Sequence, residues 1–421
     1  MLTVCSLAVV AWAAGEEGAP FAGVPAKFEP GKEWPQFRGP NRDGTAPGEN
    51  LLDRWPEGGP RLLWSVKGLG TGFGQVSVAG GLVFATGLVD KEGWLTAHTL
   101  DGTLKWKVKY GAEYAQGYPG ARTTPTVHDG RVYIVSSFGK LSCFAVADGK
   151  PQWSEDLFKT YGGKQIQWGY SESVLIDGDK VIAMPCGSKA AMVALDRKTG
   201  RQVWASAPIE HEANFCSAIT VDRGDKRLVV SMTDSAVVAF SAEDGKLVWQ
   251  FAYKNTRQNH CNTPIYSDGL LYVTSGYGRG AVGLELAADG GSVKQIWEQK
   301  KQDPVHGQAV LVNGYVYASS HQASPTQWSC VELKTGKLMW QDTALGRGGS
   351  VIAVGGMLYC YSEDGKVSLV RPSSEKCDRV SQFTVTQGDG QHWAHLVVCG
   401  GKMFVRHGDV LMCYDVAAPS K

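Results

Sequence analysis

The segment DGKPQW, residues 148–153, returns along the chain as DGTLKW at 101, TGRQVW at 199, DGKLVW at 244 and TGKLMW at 335. A chain that repeats one turn and one tryptophan in this way is built by repetition of a single unit. With the aromatic as marker, the units fall at Trp64, Trp106, Trp153, Trp204, Trp249, Trp297, Trp340 and Phe383, at spacings of 42, 47, 51, 45, 48, 43 and 43 residues. Seven of the 14 tryptophans hold this one position, so their placement follows the architecture rather than a single site.

In the clearest unit PTVHDG, RVYIVSSFG and KLSCFAVADG precede KPQW, so three β-type runs and the tryptophan strand make four. Asp-Gly and Gly-Lys bends tolerate positive φ, and Val, Ile, Tyr and Phe between them favour strands. A small four-stranded sheet cannot bury both its faces alone. Repeated at 40 to 50 residues it stacks around an axis as a propeller blade. Each large ring is expected to fill the wedge between adjacent blades while its N–H reaches a backbone partner. The last unit, 395–416, holds three strands, whereas Trp64 in PRLLWSV has no three strands before it. Residues 61–66 should therefore complete the final blade. The expected fold is all-β, an eight-bladed β-propeller of four-stranded antiparallel blades over 61–417, closed by its N-terminal strand.

Outside the ring, residues 2–14, LTVCSLAVVAWAA, form an apolar run about the length of a signal-peptide core and too short for a bilayer of ~30 Å. A signal peptide over 1–15 and export to the periplasm or exterior of a bacterial envelope are expected. Only Met1 precedes the run, without the usual basic residues, so the true start is expected upstream. Residues 16–60 read as a lead-in and a non-regular arm; 34–60, with two Trp-Pro pairs and several Gly-Pro-type turns, should lie ordered across the ring. Lys and Arg number 42 against 41 Asp and Glu, which leaves no field to attract nucleic acid or an anionic membrane. Apart from Cys5, nine cysteines remain, an odd number without any C-x-x-C, and Cys143, Cys330 and Cys413 sit alike in similar strands as small buried residues.

Units such as ALDRKTGRQVW (194–204) and VELKTGKLMW (331–340) resemble the pyrroloquinoline-quinone-like propeller repeat. Quinoprotein alcohol dehydrogenases and the outer-membrane assembly scaffold BamB share that repeat. The resemblance covers roughly 61–417, and WPQFRGPNRDG (34–44) looks like the leader of secreted bacterial proteins in the group. Quinone-using members carry a disulfide between neighbouring cysteines, a calcium held by acidic and amide groups, and an aspartate base. The chain has no Cys-Cys pair, and no acidic cluster is evident at the inner strands, so none of these transfers. No cofactor is expected, with quinone and calcium the alternative.

The first strand of each blade should line the axis. Six residues before the glycine that closes it stand Gln75, Thr124, Glu172, Thr263, Gln308, Ser350 and His395, and Ser217 takes the place in blade four, which carries an inserted RGD. All are polar, whereas two residues further in the set is mostly apolar, so a polar mouth above a greasier wall is expected. Just outside stand Arg122, Tyr170, Phe215, His260, His306, Arg347, His392 and Trp393. Cations, imidazoles and aromatics together suit a sugar, a carboxylate or a peptide end. Metal ligation by His260, His306, His392 and His395 is disfavoured because they fall on three blades. Glu172 with His395 would suit an acid and base pair, but no nucleophile or oxyanion device stands nearby. GYGRG at 276–280 lies between strands and reads as a hairpin loop rather than a phosphate loop. The expected function is that of a monomeric, non-catalytic, exported propeller, a BamB-like scaffold that binds a protein or small ligand at its funnel. The alternative is a quinone-dependent dehydrogenase or a carbohydrate-active enzyme at the same mouth.

Overall fold

The computed structural model describes residues 29–321 and 326–419; the signal peptide expected over 1–15 falls outside them. Eight antiparallel sheets follow one another along the chain. Seven blades span 77–112, 126–156, 175–205, 219–252, 265–299, 309–342 and 349–384. The eighth joins the three strands within 397–415 to Arg61–Val66, pairing Trp64 with Cys413 and Val66 with Leu411. The two ends of the ring thus share one sheet, and no blade is left with an open edge toward a gap in the circle. Buried side chains gather between neighbours: one cluster joins Tyr133 and Val135 of blade two to Val181 and Leu195 of blade three.

The recurring motif is explained by one joint between blades. In the outer strand of all eight blades the register shifts by a β-bulge. In seven, the skipped residue is the one before the tryptophan. A bulge re-aims the next side chain, and here it turns the indole onto the following blade. Trp64, Trp106, Trp153 and Trp204 donate from Nε1 to the carbonyls of Leu100, Val146, Arg197 and Ala242 at 2.9 to 3.2 Å. Trp297 and Trp340 donate likewise to Leu333 and Ser373, both at 2.7 Å. The turn glycine of that next blade lies on the ring. A Cβ built on Gly102, Gly149, Gly200, Gly245 or Gly336 would stand 2.4 to 2.9 Å from the preceding blade's indole, and all five have φ between +69° and +91°. Glycine and tryptophan recur together because each glycine seats the previous blade's tryptophan.

Trp249 is the exception, its Nε1 unpartnered. The carbonyl in the corresponding place, that of Leu286, accepts instead from Arg223 Nη2 at 3.3 Å, an arginine supplied by the RGD insertion of blade four. Cys143, Cys330 and Cys413 are free and buried within their sheets.

The arm departs from expectation. Residues 34–46 do not lie across the ring; they fill its axis. Trp34 bridges Val78 of blade one, and the Pro35 carbonyl accepts from Val127 N of blade two at 2.8 Å. Arg42 donates to the carbonyls of Ser173, Val174 and Ala218 at 2.6 to 3.1 Å, and Arg38 to that of Ala309 at 2.7 Å. Thr45–Ala46 then pairs in parallel with Ala353 and Val354 of blade seven. A segment bonded to the inner strands of six blades occupies the centre. Both guanidinium groups are buried, and burial pushes each down to about 10. The carbonyls around them supply the partners that burial demands, save at Arg38 Nη1, which has none among the described residues.

Candidate functional site: a blind funnel

With the axis filled from one side, the opposite mouth is a funnel of about 630 Å³ whose floor includes Phe37 at the tip of the arm. Phe37 packs against His395, ring centroids 5.4 Å apart.

Of the inner polar ring, Gln75, Ser217, Gln308 and His395 line the funnel. Thr124, Glu172, Thr263 and Ser350 do not; they are buried in the wall. The register expectation of eight polar groups around an open mouth is corrected here, because the ring is spent on joining blades and arm. Ser217 Oγ accepts from Ser173 N at 2.9 Å, and Ser173 Oγ accepts from Thr124 N at 3.0 Å. Gln308 takes Thr263 N at 2.7 Å and donates to the Cys261 carbonyl at 2.6 Å. Gln75 accepts from Arg38 N at 2.9 Å and donates to the Leu396 carbonyl at 2.7 Å. Glu172 accepts from Tyr170 Oη and from Met184 N, and burial pushes its carboxyl up to about 7.

Among the outer residues, Arg122, Phe215, His306, Arg347 and Trp393 line the funnel, whereas Tyr170, His260 and His392 do not. Tyr170 is turned into the wall toward Glu172. His260 is buried with Nε2 on the Asp234 carbonyl at 3.2 Å, and burial pushes it down to about 4. His392 stacks on His407 at 3.7 Å. His395 reaches the His306 carbonyl through Nε2 at 2.8 Å, and burial pushes it down to about 4. These histidines are each engaged separately and do not converge.

Three lining residues, Tyr277, His321 and Glu363, were missed because they come from hairpins between the second and third strands of blades five, six and seven. The available signal was the GYGRG hairpin: a tyrosine at its tip, with φ +60°, is the side chain that leans over the mouth. Tyr118 and Trp168 belong to the loops that enter blades two and three. Trp393 packs on His306 at 4.3 Å, on Phe73 at 5.0 Å and on Tyr118 at 5.1 Å, and Tyr118 continues to Trp168 at 5.6 Å. Beside this wall, Glu363 faces His306 Nδ1 at 3.6 Å, His321 Nδ1 at 3.7 Å and Arg347 Nε at 3.6 Å.

Residues 91–310 and, in an overlapping second match, 165–377 fit the PQQ-like family described as outer membrane protein assembly factor BamB. BamB of Moranella endobia is 23% identical over 282 residues, covering 63% of this chain and 68% of that protein. The dehydrogenase subunit of an alcohol dehydrogenase (quinone) from Acetobacter aceti is 30% identical over 265 residues, 53% of this chain but only 33% of the relative. The chain thus spans about a third of that enzyme's length. The crystal structure of BamB from Moraxella catarrhalis superposes with TM-score 0.60 at 17% identity, over 86% of this chain and 98% of that one. Quinohemoprotein alcohol dehydrogenase from Comamonas testosteroni gives 0.65 at 11% identity, over 93% and 81%. At such identities the likeness carries the fold alone.

The funnel does not fit a calcium-held quinone of the kind the dehydrogenases use. Calcium takes about 6 to 8 oxygen ligands, and Glu363 is the single carboxylate among the described lining residues, already faced by Arg347. Among the described residues no three His, Cys, Asp or Glu side chains are placed to hold a metal ion. By the match over most of its repeats, the chain belongs to the PQQ-like propeller family of outer membrane protein assembly factor BamB.

Proposed function

We infer that this propeller is a non-catalytic binding module of the bacterial envelope that seats a small ligand or a segment of a protein in its funnel. The observation that carries the reading is the blind funnel itself: an aromatic pocket with its floor closed by the arm and one carboxylate in its wall. Concave, largely preformed sites with a few convergent polar groups suit recognition. Family membership with an assembly factor supports a scaffold role, and the apolar run at 2–14 supports export.

The test is retention of ligand from an envelope extract, read by mass spectrometry. Trp393→Ala should abolish retention, while Leu104→Ala on the outer strand of blade one, 52% exposed, should leave it intact. Equal retention by both variants removes the funnel as the site. Addition of pyrroloquinoline quinone, Ca²⁺ and primary alcohols should give no dye reduction; a measurable rate would overturn the non-catalytic reading.

A further inference from the structure

We propose that the funnel recognises a neutral carbohydrate, taking the end of a short glycan between its aromatic wall and the Glu363 carboxylate. This rests on the funnel reading above and names its ligand class.

Glu363 is the informative group. Its side chain is 10% exposed, yet no hydrogen bond reaches either carboxylate oxygen from the described residues. The three nitrogens around it stand at 3.6 to 3.7 Å, beyond direct hydrogen-bond range. A half-buried carboxylate in the funnel wall, with acceptor capacity that no protein donor uses, is open to a ligand that can donate to it. Next to it, His306 Nδ1 also lacks a partner. The site therefore offers acceptors and donors side by side, both unmet.

Charge then narrows the ligand. Arg122 is committed: it donates to the carbonyls of Gly120 and Tyr118 and lies over Phe73 and Tyr114, 5.5 and 5.6 Å from their centroids. Arg347 faces Glu363. An anion would meet the Glu363 carboxylate, and a cation would meet the Arg347 guanidinium beside it. A peptide end entering a blind funnel brings one charge or the other. A neutral polyol meets neither difficulty: adjacent hydroxyls donate to the two carboxylate oxygens while their own oxygens accept from Arg347 or an imidazole N–H. The C–H face of a pyranose then lies on the aromatic wall, whose negative ring faces attract it.

The wall is held for this shape. Trp168, Tyr277 and Gln308 line the funnel at φ +72°, +60° and +58°, a region bulky residues rarely adopt and one that persists where the surroundings over-determine it. One carboxylate without a second across the cavity suits retention of a sugar rather than hydrolysis, which takes a pair.

Labelled protein on an array of neutral glycans, acidic glycans, amino sugars and short peptides tests the proposal. Neutral glycans should be retained, and both Glu363→Gln and Tyr118→Ala should weaken retention about tenfold or more, the loss of one charge-assisted hydrogen bond or one stacking face. Tyr118 is 45% exposed, so its variant folds even if Glu363→Gln does not. Absence of any neutral glycan, or retention indifferent to both variants, overturns the carbohydrate assignment. Peptides retained in a Trp393-dependent way in place of sugars overturn it while the funnel reading stands. If every captured ligand ignores Trp393→Ala, both fail.

Discussion

Replacing Gly245 by alanine tests the joint that repeats around the ring. Gly245 has φ +73°, and a Cβ there would stand 2.4 Å from Trp204 Cε3. The left-handed backbone costs an alanine about 1 to 2 kcal/mol. The clash adds an overpacking term of about 1 to 3 kcal/mol, because Trp204 cannot swing away: its Nε1 is bonded to the Ala242 carbonyl at 3.2 Å and the side chain is buried. The sum is about 2 to 5 kcal/mol. Gly178 is the control, with φ +58° but open space around the added carbon, so Gly178→Ala should lose only the backbone share. Urea unfolding followed by tryptophan fluorescence gives the difference from the midpoints at a shared slope. In a Trp204→Leu background Gly245→Ala should fall to the control value, a non-additivity expected of side chains in contact. Equal losses at the two glycines, or strict additivity with Trp204→Leu, would refute the account of why DG and W recur together.

Trp297→Phe should lose about 0.5 to 1.5 kcal/mol more than Trp249→Phe in the same assay, since only the former gives up a hydrogen bond, to the Leu333 carbonyl. Arg42→Met should lower stability by about 2 kcal/mol or more by urea titration, about one each for the Ser173 and Ala218 carbonyls, while that of Val174 keeps Thr126 Oγ1 at 2.9 Å. Glu172 gives a pH dependence of defined sign. Folded, it holds its proton up to about 7, whereas an unfolded glutamate does so only to about 4.3. Between these values the folded state binds more protons, so the group's stabilisation is present at low pH and lost as pH rises to about 7. Relative to the parent, Glu172→Gln should therefore gain stability from about pH 5 to about pH 8; a flat difference would place the Glu172 carboxyl in its ordinary range.

The blade count, the four strands of each blade and the pairing of residues 61–66 with the chain's last strand were all legible in the sequence. Period-two alternation and turn glycines act within a few residues of one another, and a repeat reports the same local solution eight times. The candidate site was legible in part. Arg122, His306, Arg347 and Trp393 belong to loops that any blade must aim at its mouth, and they line the funnel. His260 and Tyr170 occupy equivalent loops yet turn into the wall, because their partners, the Asp234 carbonyl and Glu172, are set by how the loops pack.

The chain order alone thus determined that this protein closes into a ring of eight sheets with aromatic joints, since five of the joints are written as a short motif whose glycine and indole meet one blade apart. Only the tertiary structure decided that the ring has one mouth. The arm enters the axis through two arginines that bind backbone carbonyls 131 to 271 residues away. A carbonyl is the same on every residue and leaves no trace in side-chain identity, so the plug, the blind funnel and the isolation of Glu363 appear only once the blades are placed around their axis.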